Sequence, residues 1–386
     1  MRKTVIPYGK QNITQEDIDA VVKTLKSDFL TQGPKVEEFE IKFAQYIGSK
    51  YAVAVSNGTA ALHLSVLALG LEKGKKVITT PLTFVASANA IIYAGGEVDF
   101  CDIDPETLLL DIDLVREKIV SSPKGTYGGI IPVDFAGAPI QMDAFRALAD
   151  EYGLWLLEDS CHAPGGYFYD KSKKQQNCGN GSFADSAIFS FHPVKHITCG
   201  EGGMITTNDV SLYNKLLKLR THGITKNPEE LIENHGPWYY EMQNLGYNYR
   251  LDDIACSLGI SQLNRASESL KERKRIAKKY QNLLKGVQEI NFFNTDMEGH
   301  AYHLLVIETS KRRTLYDHLR EHHIFAQIHY IPVHFQPYYQ SLGFKKGDYP
   351  KAEAHYKNCL SLPIFPSITE EELEYTITTI KDFFHG

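Results

Sequence analysis

Residues 51–61 read Tyr51-Ala-Val-Ala-Val55-Ser-Asn-Gly-Thr-Ala-Ala61. The first five form a short apolar run, the pattern of a strand buried on both faces. The next six make a small turn that opens a helix reaching about residue 69. Strand, tight turn and helix together form the unit of a parallel sheet, and here the unit recurs. Residues 76–80 and 97–102 read as strands, with helices over 84–93 and from about Asp111. Strands over 129–134, 154–158, 186–191 and 204–207 complete the set, and helices fill 141–152 and 209–221. The expected class is therefore α/β, a mostly parallel central sheet with helices on both faces. Ligands gather at the carboxyl ends of such strands. Gly58, Asp159, Ser190 and Lys195 all follow predicted strands, so they are expected to converge.

The flanks are organised differently. Residues 1–12 read as an extended segment with Pro7 and Gly9. Thr14 then opens a helix with Asp17 as capping-box partner, and Ile18, Val21, Val22 and Leu25 form its apolar face. A second amphipathic helix buries Val36, Phe39, Phe43, Tyr46 and Ile47. Segment 223–243, with Pro228, Gly236, Pro237 and Trp238, reads as a long loop of the functional or interfacial kind. After Arg250 one long helical region runs to about residue 284. Its basic run, Lys271-Glu-Arg-Lys-Arg275, reads as a solvated helix face. Strands near 302–308 and 325–330 and helices near 313–322 and 369–384 suggest a second, smaller α/β unit. The expected organisation is an N-terminal extended segment (1–12), a large domain (13–265) and a small C-terminal domain (266–386).

With 386 residues, 43% apolar and 23% charged, the chain can bury a sizeable core. A net charge of -6 argues against nonspecific nucleic-acid binding, which needs a basic face. The six cysteines are scattered, with no CxxC pair. No metal site or disulfide framework is expected, and reduced thiols fit a cytoplasmic location. The N-terminus lacks the apolar core of a signal peptide. No apolar run approaches the ~20 residues needed to cross a bilayer, so no membrane partner is expected. Gly70-Leu-Glu-Lys-Gly-Lys-Lys76 is one residue short of a P-loop, and no Ser or Thr follows it.

Four stretches carry chemistry. Ser190-Phe-His-Pro-Val-Lys195-His-Ile-Thr-Cys-Gly-Glu-Gly-Gly203 places a lysine in a tight turn, where it could hold a carbonyl cofactor as a Schiff base; a lone loop lysine is more often a solvated charge. Ser56-Asn-Gly-Thr-Ala-Ala61 feeds a helix N-terminus, which suits a phosphate but also serves as an ordinary structural turn. Thr80-Pro-Leu-Thr-Phe-Val85 sets Phe84 at a strand end, ready to stack on a flat ring or to pack in the core. Leu156-Leu-Glu-Asp-Ser-Cys-His162 ends an apolar strand in two acids. A buried carboxylate needs a partner, and a protonated ring nitrogen is one. His162, three residues on, has ordinary packing as its commoner role.

In this chain order the four stretches resemble the fold-type I pyridoxal-phosphate enzymes, and more narrowly the sugar aminotransferases of the DegT/DnrJ/EryC1/StrS family. The resemblance also rests on FLTQGPKVEEFE, RTHGI and LGYNYRLDDIACSLGISQL, and extends from residue 5 to the C-terminus. It implies an aspartate aminotransferase-like fold with 13–265 as the cofactor-binding domain. Pyridoxal 5'-phosphate is the implied cofactor, with pyridoxamine 5'-phosphate as its intermediate form. Lys195 would form the internal aldimine and shuttle the proton. Asp159 would pair with the pyridine nitrogen and Phe84 would stack on the ring. His162 would stand beside the ring hydroxyl. Gly58, Thr59 and Ser190 would hold the phosphate, completed by Asn248 from the neighbouring subunit of a homodimer.

Within the family the chain is most similar to the PseC-type transaminases of pseudaminic acid biosynthesis. These aminate carbon 4 of a UDP-linked 4-keto-6-deoxy-N-acetylhexosamine with L-glutamate in ping-pong fashion. By that resemblance Tyr8, Phe29, Leu30, Thr31, Gln327, Ile328, His329 and Tyr330 would line the nucleotide-sugar cleft. Relatives acting on dTDP- or GDP-linked keto sugars carry variations of the same segments. A sugar dehydratase using the same cofactor and a non-enzymatic regulatory relative are the alternatives. In the dehydratase branch a histidine replaces the lysine, whereas here Lys195 stands in register with SFH and EGG.

Overall fold

The computed structural model describes residues 5–385; the first four residues of the expected N-terminal segment, and Gly386 of the expected C-terminal domain, lie outside the described residues. Its centre is a seven-stranded sheet in the order Tyr51–Val55, Gly203–Thr207, Ser186–Ser190, Trp155–Asp159, Tyr127–Ile131, Lys76–Thr79, Glu97–Phe100. Gly203–Thr207 runs antiparallel to both neighbours and every other pairing is parallel. Strands such as Ser186–Ser190 and Tyr51–Val55 are buried almost throughout, as a sheet covered on both faces requires.

Several sequence expectations shift. The strand expected at 129–134 is Tyr127–Ile131, with Gly128 and Gly129 inside it. A Cβ on Gly129 would stand 2.1 Å from the Trp155 ring, so glycine here admits an indole rather than ending a strand. The long helix after Arg250 is two helices, Asp253–Asn264 and Ala266–Leu284, broken at Arg265. Segment 325–330 is mostly irregular. Only Ile324–Phe325 is a strand, paired with Ile6–Pro7, and residues 327–330 instead wall a cavity. A three-stranded antiparallel sheet joins Asn291–Phe292, Leu305–Glu308 and Cys359–Leu362, and a hairpin pairs Tyr167–Tyr169 with Gln175–Asn177.

The first helix, Gln15–Leu25, has the expected capping box, but its faces are reversed. Asp17 and Thr24 are buried, while Ile18, Val22 and Leu25 are exposed. Asp17 faces inward because the Arg265 guanidinium and the Gln262 amide donate to it, satisfying a carboxylate that would otherwise be costly to bury. The basic run is also corrected. Arg273 is 1% exposed and belongs to the core.

The second helix, Pro34–Ile47, ends at Gly48 in the left-handed conformation (φ 88°). Its buried Phe39 and Phe43 pack on Phe189 and Phe191 with ring centroids 4.9–5.3 Å apart. Those two phenylalanines flank Ser190, so aromatic packing behind the sheet fixes the start of the lysine loop.

Candidate active site

One cavity of about 890 Å³ opens at the carboxyl ends of the parallel strands. Tyr8, Gly58, Thr59, Phe84, Asp159, His162, Ser190, Lys195, Gln327, Ile328, His329 and Tyr330 all line it. Residues from six separate stretches of chain therefore converge, those after the strands as the strand pattern implied. Phe29, Leu30, Thr31 and Asn248 are not among its lining residues. The first three lie exposed in the turn after the first helix. Asp253 pins that turn by accepting the N–H groups of Gly33 and Lys35 at 2.8 and 2.9 Å. Asn248 pairs with Thr221 in an isolated bridge.

The helix Gly58–Ala68 presents its N-terminus to the cavity. Asn57 caps it, its side chain accepting from Ala60 N–H at 2.8 Å and its carbonyl from Ala61 N–H at 3.1 Å. The cap leaves the N–H groups of Gly58 and Thr59 to face a ligand. A Cβ on Gly58 would meet Ser190 Cβ at 3.0 Å, and one on Gly203 would meet the Asn57 carbonyl oxygen at 2.5 Å. Gly58 thus admits the Ser190 hydroxyl to the same corner, and Gly203 lets the next strand run beneath the turn. Two free N–H groups, a hydroxyl and a helix dipole form a donor set suited to a phosphate ester.

Asp159 ends its strand 4% exposed. Its Oδ2 accepts the Ser87 hydroxyl at 2.8 Å and its Oδ1 accepts Cys161 N–H at 3.2 Å. Phe84 caps the helix Val85–Tyr93 that carries Ser87, and is 59% exposed, its ring free at the cavity wall. His162 accepts Ala136 N–H on Nδ1 at 3.2 Å and places Nε2 3.2 Å from the Tyr330 hydroxyl. A hydrogen-bonded acceptor at Nδ1 puts the proton on Nε2. Burial, with the Lys195 charge adding, holds His162 far below its usual pKa and therefore neutral.

Lys195 reaches the cavity with Nζ 3.5 Å from His303 Nε2. Burial lowers its pKa from the usual lysine value; Cys161 and Asp159 act against that, and the Arg273 charge acts with it. A lysine tuned this way spends more time as the free amine, the form that acts as nucleophile and base. His196, beside it, bonds the Ala301 carbonyl at 2.8 Å, a structural contact.

Sequence reasoning missed Asn57, Ser87, Cys161 and His303. Ser87 stands three residues after Phe84, one helical turn on, and that spacing was the available signal. His303 opens an apolar strand, where a lone histidine reads as packing. The one group of potential metal ligands among the described residues is Asp134, Glu158 and Cys178, all buried. Burial raises both carboxyls, Asp134 to about 6 and Glu158 well above the usual carboxylate range.

The sheet, the amine-bearing loop and the donor set at Gly58, Thr59 and Ser190 fit a pyridoxal-phosphate-dependent enzyme. The chain belongs to the DegT/DnrJ/EryC1/StrS aminotransferase family, whose model matches residues 11–381. It is 38% identical to the spore coat polysaccharide biosynthesis protein SpsC of Bacillus subtilis, over 100% of this chain and 98% of that one. It is 37% identical to a UDP-4-amino-4,6-dideoxy-N-acetyl-beta-L-altrosamine transaminase of Campylobacter jejuni, over 97% and 96% of the two chains. The solved structure of Helicobacter pylori PseC, an aminotransferase of pseudaminic acid biosynthesis, superposes with TM-score 0.89 at 28% identity, over 99% of each chain. A proposed sugar aminotransferase of Streptococcus pneumoniae, solved in a PLP-form and a PMP-form, matches at TM-score 0.87 and 29% identity in the former, over 98% of each chain.

Proposed function

We propose that this aminotransferase moves an amino group from L-glutamate to C4 of a UDP-linked 4-keto-6-deoxy-N-acetylhexosamine, by ping-pong kinetics, as in pseudaminic acid synthesis. The observation that carries the chemistry is Lys195, lowered in pKa by burial and facing a cavity that also holds Asp159 and the Gly58–Thr59 corner. The named relatives support the substrate.

Bound pyridoxal phosphate supplies an aldehyde that takes up an amine and a ring that accepts the electron pair released when a carbon loses its proton. The protein does the rest. Gly58, Thr59 and Ser190 hold the phosphate. Asp159, fixed by Ser87 and Cys161 N–H, would offer a carboxylate to the ring nitrogen, and Phe84, at the cavity wall, would pack on the ring. His162 borders the ring hydroxyl. Lys195, as the free amine, would take the α-proton of glutamate, and in the second half-reaction, as the ammonium, would deliver a proton to the sugar carbon. Tyr8 and residues 327–330 form the sugar side of the cavity.

The functional unit proposed is a cytoplasmic homodimer, in which Asn248 and residues 29–31 reach the site of the other copy. Exposed apolar side chains at Ile18, Val22, Leu25, Phe29 and Leu30 support a partner surface there. A boundary near residue 265, where the helix breaks, is proposed between the large and small domains. The free cysteines, all but Cys161 buried, suit a reducing compartment.

The test is incubation with glutamate and a panel of UDP-, dTDP- and GDP-4-keto sugars. Turnover of the UDP-linked N-acetylhexosamine supports the substrate. Turnover of dTDP- or GDP-sugars alone removes it and leaves sugar transamination standing. Borohydride reduction followed by peptide mapping should place the label on Lys195.

A further inference from the structure

Segment 301–304 threads between three elements at the floor of the cavity. On one side Ala301 N–H donates to the Gly137 carbonyl at 2.8 Å and Leu304 N–H to the Ala136 carbonyl at 3.1 Å. Gly137, in the left-handed region at φ 97°, allows this approach: a Cβ there would stand 2.9 Å from Tyr302 N and 3.0 Å from His303 N. On the second side the segment meets the lysine loop. His196 Nε2 bonds the Ala301 carbonyl, and His303 Nε2 lies 3.5 Å from Lys195 Nζ. The His303 ring also lies 4.3 Å from the His162 ring. On the third side Arg273 Nη1 donates to the carbonyl oxygens of Tyr302, His303 and Ile364 at 3.2, 3.3 and 3.1 Å.

Arg273 is unusual in this setting. It is 1% exposed and its hydrogen bonds go to carbonyls, and among the described residues it has no carboxylate partner within ion-pair distance. A buried cation without a carboxylate is costly, so its charge remains effective on its surroundings. A helix that needed only to hold a loop could do so with a neutral donor.

We infer that Arg273 and His303 are positioning residues for Lys195: Arg273 clamps the 302–303 backbone so that the His303 imidazole meets the lysine amine. The inference rests on the reading of Lys195 as the Schiff-base lysine. The groups facing Lys195 are Asp159 and Cys161, which favour its ammonium, Arg273, which disfavours it, and the neutral imidazoles of His162, His196, His303 and His329. Burial, the largest influence, still holds the lysine pKa down without Arg273, but removing that charge takes away a smaller influence acting the same way, so the lysine pKa should rise.

The experiment uses the full chain with Arg273→Met, Arg273→Lys, His303→Leu and His303→Gln. In cofactor-free protein, the pH dependence of reductive methylation at Lys195, read by peptide mass, gives the amine's midpoint. Arg273→Met should raise it by about one pH unit, as expected for loss of a nearby like charge, while Arg273→Lys should leave it in place. In loaded protein, His303→Leu should lower kcat by about tenfold or more with KM for the amino donor little changed, and His303→Gln, which keeps an acceptor, should recover most of it. An unmoved midpoint in Arg273→Met, or an unchanged kcat in His303→Leu, overturns the inference. If Arg273→Met does not fold, the His303 pair decides it. Borohydride labelling of each variant separates the two levels: label on Lys195 keeps the lysine reading whatever the variants show, and label elsewhere removes that reading itself.

Discussion

Ser87 donates its hydroxyl to Asp159 Oδ2 at 2.8 Å, and Thr83 Oγ1 stands 2.9 Å behind it. The helix that presents Phe84 to the cavity therefore also fixes the carboxylate. With Cys161 N–H on the other oxygen, the plane of the carboxylate is set before any ligand arrives. Ser87→Ala should lower kcat/KM by roughly tenfold, from loss of about 1.5 kcal/mol of hydrogen bonding to a charged acceptor. Ser87→Thr should restore it. Steady-state kinetics and the visible spectrum of the loaded protein check both.

Behind the strand end, Asp134 and Glu158 hold protons more tightly than in the unfolded chain. Burial is the main cause for each, with their mutual repulsion adding for Glu158. A raised carboxyl pKa contributes stability fully present below the unfolded value and lost as pH rises through the folded one, here about 6 for Asp134. Urea midpoints should fall as pH is raised through that value. Asp134→Asn should flatten the slope; an unchanged slope would remove Asp134 as its source.

Phe43 sits at the centre of the aromatic cluster behind Ser190, fully buried. Phe43→Ala should cost about 3–5 kcal/mol, the loss typical of emptying a large core site. A lower urea midpoint measures this. Because Phe189 and Phe191 lose their support, cofactor release on dialysis should also quicken.

The apolar stripe on the first helix, Val22 and Leu25 included, is left exposed by the described residues. If it is the dimer face, Leu25→Glu should shift the protein toward monomer, since a buried unpaired charge opposes association. Analytical ultracentrifugation reads the change, and activity should fall with it. A monomeric wild-type protein that is fully active would sink the dimer reading.

Much of the sheet was legible because a doubly covered strand writes an apolar run into local sequence. Val53–Val55 and Ile188–Phe189 could hardly lie elsewhere. Lys195, Asp159 and Phe84 were legible for a related reason: each follows such a run at the carboxyl end, where the backbone leaves the sheet. The start of the strand at Tyr127 was not legible, because the indole that fills the space at Gly129 comes from Trp155 on the adjacent strand.

Local sequence, then, determined the alternating α/β order, the lysine loop and the phosphate corner, since these depend on periodicity and on residues close in the chain. Tertiary structure alone decided which face of the first helix is buried, because Asp17's partners, Gln262 and Arg265, lie some 245 residues away. It alone turned Arg273 from a solvated charge into a core cation, and brought His303 to the lysine from 108 residues beyond it. Such contacts exchange long-range loop closure for burial and hydrogen bonding, and nothing in the local pattern records that exchange.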